Sequence, residues 1–362
     1  MHVQVERHIR RQIQTGIWKP GKRLPTTDQL IQGWEVSRLT LQKAMENLVA
    51  EGLIERKRNR GTFVRNTNEQ AMLGILVGPN LMHEVEYFLR AVVKFIRMEL
   101  SENSDYPWTA EVYDGWVTEK HGYPPALAQR FKNDLQNYSF KAVIGLGLPL
   151  KKILEDFPHI NRVPHAQLNF TWQEGGSDVI LDYYQFGREC AEWIVRNGFQ
   201  KIIYLRTLDM TPHGTQDLAG INSVIQPPGH PAMEVIQLPY NPADCATLEE
   251  KAFQKTMAMI DEWAVNEESR RQPTALLISD DIVTRGVAFA FAEKGIMTPK
   301  NIKIITMANE GIRHPYAMPV ARYEFSPQMT AQKLLEILKI RIKSAASTAA
   351  PFKLSGRLIN PS

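Results

Sequence analysis

From Val3 to Gln14, the apolar residues Val5, Ile9 and Ile13 recur every four positions among Arg and Gln, the spacing of a surface helix with one buried stripe. Gly16 ends that pattern. A Pro20-Gly21 turn leads into Leu24-Pro25-Thr26-Thr27, where a Thr caps a second helix running to Gln32. Gly33 to Val36 make a turn, and Ser37 caps a third helix in which Leu41, Ala44, Met45, Leu48 and Val49 share the buried face. The opposite face then carries Arg38, Leu39, Gln42, Lys43 and Glu46. Gly52–Arg56 and Thr62–Arg65 read as two short strands around the tip Lys57-Arg58-Asn59-Arg60-Gly61. Residues 1–65 are therefore expected to form one small unit, with 66–70 a polar linker.

Beyond the linker the pattern changes. Short apolar runs at Met72–Val77, Ala110–Tyr113, Ala142–Leu146, Val179–Leu181, Lys201–Leu205, Ala275–Ile278 and Ile302–Thr306 are each followed by a helical stretch. This alternation predicts an α/β fold of doubly wound parallel sheets, and the length of 71–362 predicts two lobes. Ligands in such folds bind beyond the carboxyl ends of the strands.

Charge separates the two parts. Residues 1–70 carry 13 Lys and Arg against 7 Asp and Glu, and the remainder carries 30 against 32, so a polyanion partner is expected for the head alone. The exposed start of the third helix suits entry into a DNA major groove, and a cationic tip with a Gly suits close approach to a minor groove. No apolar run is long enough to span a bilayer, and the start of the chain lacks the pattern of a secretion signal, so a cytoplasmic protein with no membrane partner is expected. Cys190 and Cys245 lie far apart without His companions and read as packed thiols; neither a metal nor a cofactor motif is visible.

The stretch GIWKPGKRLPTTDQLIQGWEVSRLTLQKAMENLVAEGLIERKRNRGTFV resembles the GntR family of winged helix-turn-helix regulators, over nearly all of residues 3–65. The resemblance implies DNA contacts at Ser37, Arg38, Thr40 and Gln42 on the recognition helix, with Lys43 beside them, and at Arg60 and Gly61 on the wing. Two positions depart from the family pattern. Asp28 stands where an Arg is common in the second helix, and Gln42 where a second Arg is common in the third. Gln fits adenine and Arg fits guanine, so an operator different from the family's usual one is expected.

The body resembles the periplasmic-binding-protein-like sensor of the LacI family in VILDYYQFGRECAEWIVRNGFQKIIYL, in TALLISDDIVTRGVAFAFAEKGIMTPKNIKIITMANE and in YEFSPQMTAQKLLEIL. That resemblance implies lobe one at about 71–169 and 315–345, lobe two at about 170–314 and 346–362, and an effector cleft between them. It places Asn80, His83, Asp114, Trp116, Asn169, Asp217, Asp280 and Asn309 at the cleft rim. Sensors of this type usually carry Arg where this chain has Asp217; a carboxylate there repels anions and accepts from paired hydroxyls, which points to a neutral sugar. Trp116 offers an aromatic plane for a sugar ring.

Together these readings predict a homodimeric, DNA-binding repressor of sugar utilisation, not an enzyme, released from operator DNA by its effector. The alternatives are a solute-binding receptor or a sugar-modifying enzyme without regulatory role. Against an enzyme, Asp280, Asp281 and Glu310 lie at strand ends but no nucleophile elbow, Walker A sequence, HExxH or dinucleotide fingerprint accompanies them.

Overall fold

The computed structural model describes residues 2–50, 53–57, 60–64, 71–78, 87–102, 108–116, 124–137, 139–157, 163–169, 178–207, 215–226, 229–239, 247–265, 272–297, 301–343 and 351–360. Two compact units divide the chain, one of residues 1–73, 105–111 and 125–141 and the other of 74–104, 112–124 and 142–362. The expected linker at 66–70 lies outside the described residues.

The N-terminal head consists of α1 (His2–Gln14), α2 (Thr27–Trp34), α3 (Arg38–Ala50), β1 (Ile54–Lys57) and β2 (Gly61–Val64). Val5 and Ile9 of α1 meet Leu30 of α2, Leu41, Ala44, Met45 and Leu48 of α3, and Ile54 and Val64 of the hairpin in one core. Val49, expected in that core, is exposed. At i+8 from Leu41 it has rotated past the edge of the stripe, because 3.6 residues per turn do not bring it back to the same face. Thr26 begins α2 with a reciprocal cap, accepting from Gln29 N and donating its own N–H to Gln29 Oε1. Glu35 takes the left-handed conformation, φ 53°, that closes α2 and sets the turn into α3.

The body holds two six-stranded sheets. The first has the order β13-β7-β6-β5-β3-β4 and the second β14-β12-β11-β10-β8-β9. First-sheet strands are β3 (Ala71–Val77), β4 (Thr109–Asp114), β5 (Ser139–Leu146), β6 (His165–Asn169), β7 (Val179–Leu181) and β13 (Phe352–Leu354). In the second lie β8 (Lys201–Thr207), β9 (Ala232–Leu238), β10 (Thr274–Ile278), β11 (Ile302–Asn309), β12 (Val320–Phe325) and β14 (Arg357–Ile359). Pairing in the second sheet is parallel except at the β12/β14 edge.

Helices cover both faces of the second sheet because its strands alternate between two cores. Ile203, Leu205, Leu276 and Ile278 pack against α9 (Leu248–Val265) and α10 (Asp281–Glu293). Ile202, Tyr204, Ala275 and Leu277 pack against α7 (Tyr183–Arg196) and α8 (Gln216–Ile225). Cys190 is a buried thiol in the latter core, and Cys245 lies outside the described residues.

Three lobe boundaries differ from expectation. Val179–Leu181 pairs with β6 and so belongs to the first sheet, whereas Val320–Phe325 pairs with β11 and belongs to the second. The closing segment divides, Phe352–Leu354 joining β7 and Arg357–Ile359 joining β12. Such short strands carry no register information of their own; main-chain pairing with a neighbour decides their sheet. Helix α11 (Pro327–Lys343) packs on α4 (Tyr87–Glu102) and β6, so the change of lobe occurs at Ser326.

Helices α7 and α8 cross at glycines. A Cβ at Gly187 would overlap the Asp217 carbonyl, and one at Gly220 the Tyr184 carbonyl. Gly187→Ala must separate the helices, and is expected to destabilise the protein by about 3 kcal/mol. Urea denaturation of the variant checks this; a loss below about 1 kcal/mol would show that the crossing yields.

Candidate functional site

The head displays a capped helix start. Ser37 Oγ accepts from Thr40 N at 3.1 Å and pairs with Thr40 Oγ1 at 2.8 Å, so both hydroxyls are held at the beginning of α3. Arg38, Leu39, Gln42 and Lys43 are exposed beside them, with Thr40 half-buried. Arg38 donates to Asp28 at 2.6 Å, and Gln42 donates through Nε2 to Glu46 at 2.9 Å. Leu39 leaves most of its side chain in water, an apolar group of the kind that meets a thymine methyl.

The wing pairs Ile54–Lys57 with Gly61–Val64 in antiparallel register. Arg60 precedes Gly61, whose φ of 108° is open to glycine but strained for other residues. Arg23 is a wing residue that sequence reasoning missed. Its backbone bridges Phe63, and its guanidinium lies against Gly61, filling the space a Cβ would need. The signal was the Lys22-Arg23 pair before Leu24-Pro25; the main-chain bonds Leu24 N to Thr62 O at 2.8 Å and Val64 N to Lys22 O at 2.8 Å lay that pair along the hairpin.

In the body, strand ends carry the polar residues. Asp280 follows β10 and caps α10, accepting from Ile282 N at 2.8 Å. Its neighbour Asp281 is buried and accepts from Asn309 Nδ2, at the end of β11, at 3.1 Å. His314 Nε2 stands 3.2 Å from the same carboxylate, and Tyr316 donates its hydroxyl to the Asp281 carbonyl at 3.2 Å. Burial and the adjacent Asp281 charge push the Asp280 carboxyl up to about 7, and burial pushes Asp281 up to about 6. Burial and the nearby Arg285 lower the His314 pKa, while burial and the two carboxylates raise that of Tyr316. Tyr87, at the start of α4, meets the His314 ring edge-on at 5.1 Å and brings a first-lobe side chain to this cluster. Asp281, His314 and Tyr316 were not picked out as cleft residues from sequence: the 310–319 segment carries no periodicity, and only the fold returns it to Asp281.

The other expected cleft residues divide. Asn169 is 7% exposed at the end of β6, and Asp114 ends β4. Asn80 and His83 lie outside the described residues. Trp116 is only 2% exposed and its ring meets Phe157 edge-on at 6.3 Å, so it packs the lobe and offers no free face for stacking. Asp217 is also turned inward. It accepts from the Tyr204 hydroxyl and from Leu218 N at 2.8 Å, and pairs with Arg206 at 3.4 Å. Arg206 neutralises its charge, so Asp217 does not repel an anionic ligand as expected; a buried carboxylate needs such partners.

Among the described residues no helix is long and apolar enough to cross a membrane, and no group of three or more His, Cys, Asp or Glu could hold a metal ion.

The described residues thus form a winged helix-turn-helix head and a doubly wound two-sheet body. Residues 2–64 match the family model described as bacterial regulatory proteins, gntR family, and residues 191–360 match that of the periplasmic binding protein-like domain. The chain thus carries a gntR-type head at its N-terminus and a periplasmic-binding-protein-like domain behind it. It is 36% identical over 66 residues, 18% of its length and 27% of the relative's, to the "Uncharacterized HTH-type transcriptional regulator YurK" of Bacillus subtilis. It is 33% identical over 76 residues, 21% of this chain and 31% of the relative, to the "Probable fructoselysine utilization operon transcriptional repressor" of Escherichia coli. The chain thus spans about three tenths of the length of these curated relatives, whose names describe transcriptional regulators.

Solved structures match the body's fold. A LacI family transcriptional regulator from Arthrobacter sp. FB24, in complex with lactose, superposes with a TM-score of 0.59 at 16% identity, covering 81% of this chain and 98% of that one. The Cra transcriptional dual regulator of Pseudomonas putida, in complex with fructose 1-phosphate, gives 0.59 at 11% identity over 80% and 98%.

The acidic pair generates a pH dependence. Both carboxyls hold protons more tightly in the folded chain, at about 7 and about 6, than at their ordinary 3.8. The stabilisation this contributes is full below about pH 4 and is lost as pH rises through 6 to 7. Urea denaturation at pH 5 and pH 8 is expected to show a smaller difference for Asp280→Asn than for the wild type. Equal differences would contradict the raised values.

Proposed function

We propose that the protein is a cytoplasmic transcription repressor of sugar utilisation, whose head binds operator DNA as a homodimer and whose body binds a neutral sugar between its lobes. The observation that carries this reading is the exposed, side-chain-capped start of α3, with Ser37, Arg38, Thr40, Gln42 and Lys43 together and Arg60 and Gly61 on the wing. A helix start of this kind presents base-reading side chains and free N–H groups to a groove. One small head has little surface for specific affinity, so two heads on a two-fold site are proposed.

For the body, Asn169, Asp114, Asp280 and Asn309 are the proposed effector contacts. The charge argument for a neutral ligand moves from Asp217 to Asp280 and Asp281. Two adjacent carboxyl groups at the strand end leave no surplus of positive charge for a further anion, and their free oxygens can accept from ligand hydroxyls. The relatives support a regulatory role, and the lactose-bound Arthrobacter structure supports a sugar-sized ligand in this fold.

Fluorescence anisotropy on duplex DNA is expected to show affinity falling steeply with salt. Arg38→Ala is expected to lose about 1 to 3 kcal/mol on a selected sequence, and Arg60→Ala to weaken all sequences alike. Binding without salt dependence would defeat the electrostatic reading. Thermal-shift screening of monosaccharides, sugar phosphates and nucleosides checks the body: a neutral sugar is expected to stabilise the wild type, by about 2.7 kcal/mol at a hundredfold excess over Kd, and to lose that effect in Asp280→Ala. Stabilisation by phosphorylated ligands alone would contradict the proposed cleft.

A further inference from the structure

We propose that Asp28 is a positioning residue for base recognition: its carboxylate holds the Arg38 guanidinium ready for guanine and turns it away from phosphate. The inference rests on the DNA-binding reading above and assigns the specificity of that same interface.

The geometry is local and doubly anchored. Arg38 is the first residue of α3, directly after the capping Ser37, and its Nη2 donates to Asp28 Oδ1 at 2.6 Å. Asp28 lies in the first turn of α2, whose start is fixed by the reciprocal Thr26–Gln29 cap. Donor and acceptor therefore project from two rigid helix starts, joined by the tight turn at Glu35. Their side chains are 71% and 80% exposed. An exposed ion pair adds little to folding, so stability does not account for this one.

Its chemistry does. An unrestrained Arg at a DNA surface pairs with any phosphate it can reach, and phosphate contacts carry no sequence information. A carboxylate beside the guanidinium repels phosphate, whereas the O6 and N7 acceptors of guanine are uncharged. With one N–H engaged by Asp28, the planar fork keeps other donors for those two acceptors, and its torsions are set before DNA arrives. Adenine presents a donor at that edge and thymine a methyl, so neither satisfies the held fork. The resemblance would put a cation in place of Asp28. Exchanging it for an anion lowers attraction to every sequence while increasing the difference between right and wrong ones. Gln42 shows the same arrangement one turn further along α3, its amide nitrogen donating to Glu46 at 2.9 Å.

The test selects duplexes from a randomised library with the full chain, then measures Kd for the selected duplex, for single-base variants at each guanine, and for random-sequence duplex. Asp28→Asn, which keeps the shape and removes the charge, is compared with Asp28→Ala, Arg38→Ala and the double variant, after thermal melts confirm folding. Asp28→Asn is expected to bind random-sequence duplex about three to ten times tighter, and to lose about tenfold in preference for one guanine. Arg38→Ala is expected to abolish preference at that same guanine, and adding Asp28→Ala to it to change nothing further there. The proposal is overturned if Asp28→Asn leaves guanine preference intact, weakens all sequences alike, or acts equally without Arg38. Selection of a sequence in which no guanine depends on Arg38 overturns it alone, whereas failure to select any sequence overturns the DNA-binding reading as well.

Discussion

The body depends on the chain changing sheets three times at one place. Leu181 ends β7 in the first sheet before α7 enters the second lobe; Phe325 ends β12 in the second sheet before α11 returns to the first; Leu354 ends β13 before β14 crosses back. All three residues are buried in the same core, with Phe186, Tyr204 and Tyr323 around them. Main-chain bonds join the crossings, Asp182 N donating to Leu354 O at 2.9 Å and Phe352 N to Asp178 O at 2.8 Å. Gly356, in the third crossing, lies so close to the Tyr323 ring and the Glu324 carbonyl that a Cβ there would overlap them. Arg341 of α11 completes the first-lobe side, donating to Asp178 at 2.5 and 2.8 Å and to the His165 carbonyl at 2.5 Å. A close-packed junction of this kind moves between discrete arrangements in preference to deforming smoothly.

The strands run toward that junction, with Asn309 at the end of β11 opposite Phe325, and the polar chemistry follows from where they stop. Asp280 and Asn309 are placed by neighbouring strands in register, Ile278 opposite Thr306. A strand end that is also a helix start needs a capping acceptor, which Asp280 supplies. Capping occupies one lone pair of one oxygen, so a carboxylate can cap α10 and still accept from a ligand hydroxyl. Desolvation beside a second carboxylate makes the pair weakly acidic, so each carboxyl can accept from a ligand hydroxyl or, when protonated, donate to one.

Much of this architecture was legible because it rests on local rules. The apolar stripes of α1 and α3, the Ser37 cap, the Gly61 turn and the apolar strands of the two sheets follow from periodicity and turn chemistry. Where reading failed, the deciding interaction was remote in sequence. Asp217 was read as a ligand contact because no spacing within LRTLDMTPHGTQDLAG announces that its own Arg206, with Tyr204 just before it, faces Asp217 once β8 and α8 have folded together. Trp116 was read as a stacking plane although Phe157, forty residues away, covers it. Short strands such as Phe352–Leu354 and Arg357–Ile359 take their sheet from their partners, which no pattern within three residues reveals. Arg23 joins the wing by backbone bonds that side-chain pattern does not encode.

In the proposed function, ligand in the body and DNA on the head bias one equilibrium, and linkage makes that bias reciprocal. The most direct measurement is a pair of titrations on the full chain: the stabilising sugar with and without saturating selected duplex, and the duplex with and without saturating sugar. Each is expected to weaken the other by the same factor, about 5 to 150-fold. Sugar affinity unchanged by DNA, with DNA affinity unchanged by sugar, would contradict it.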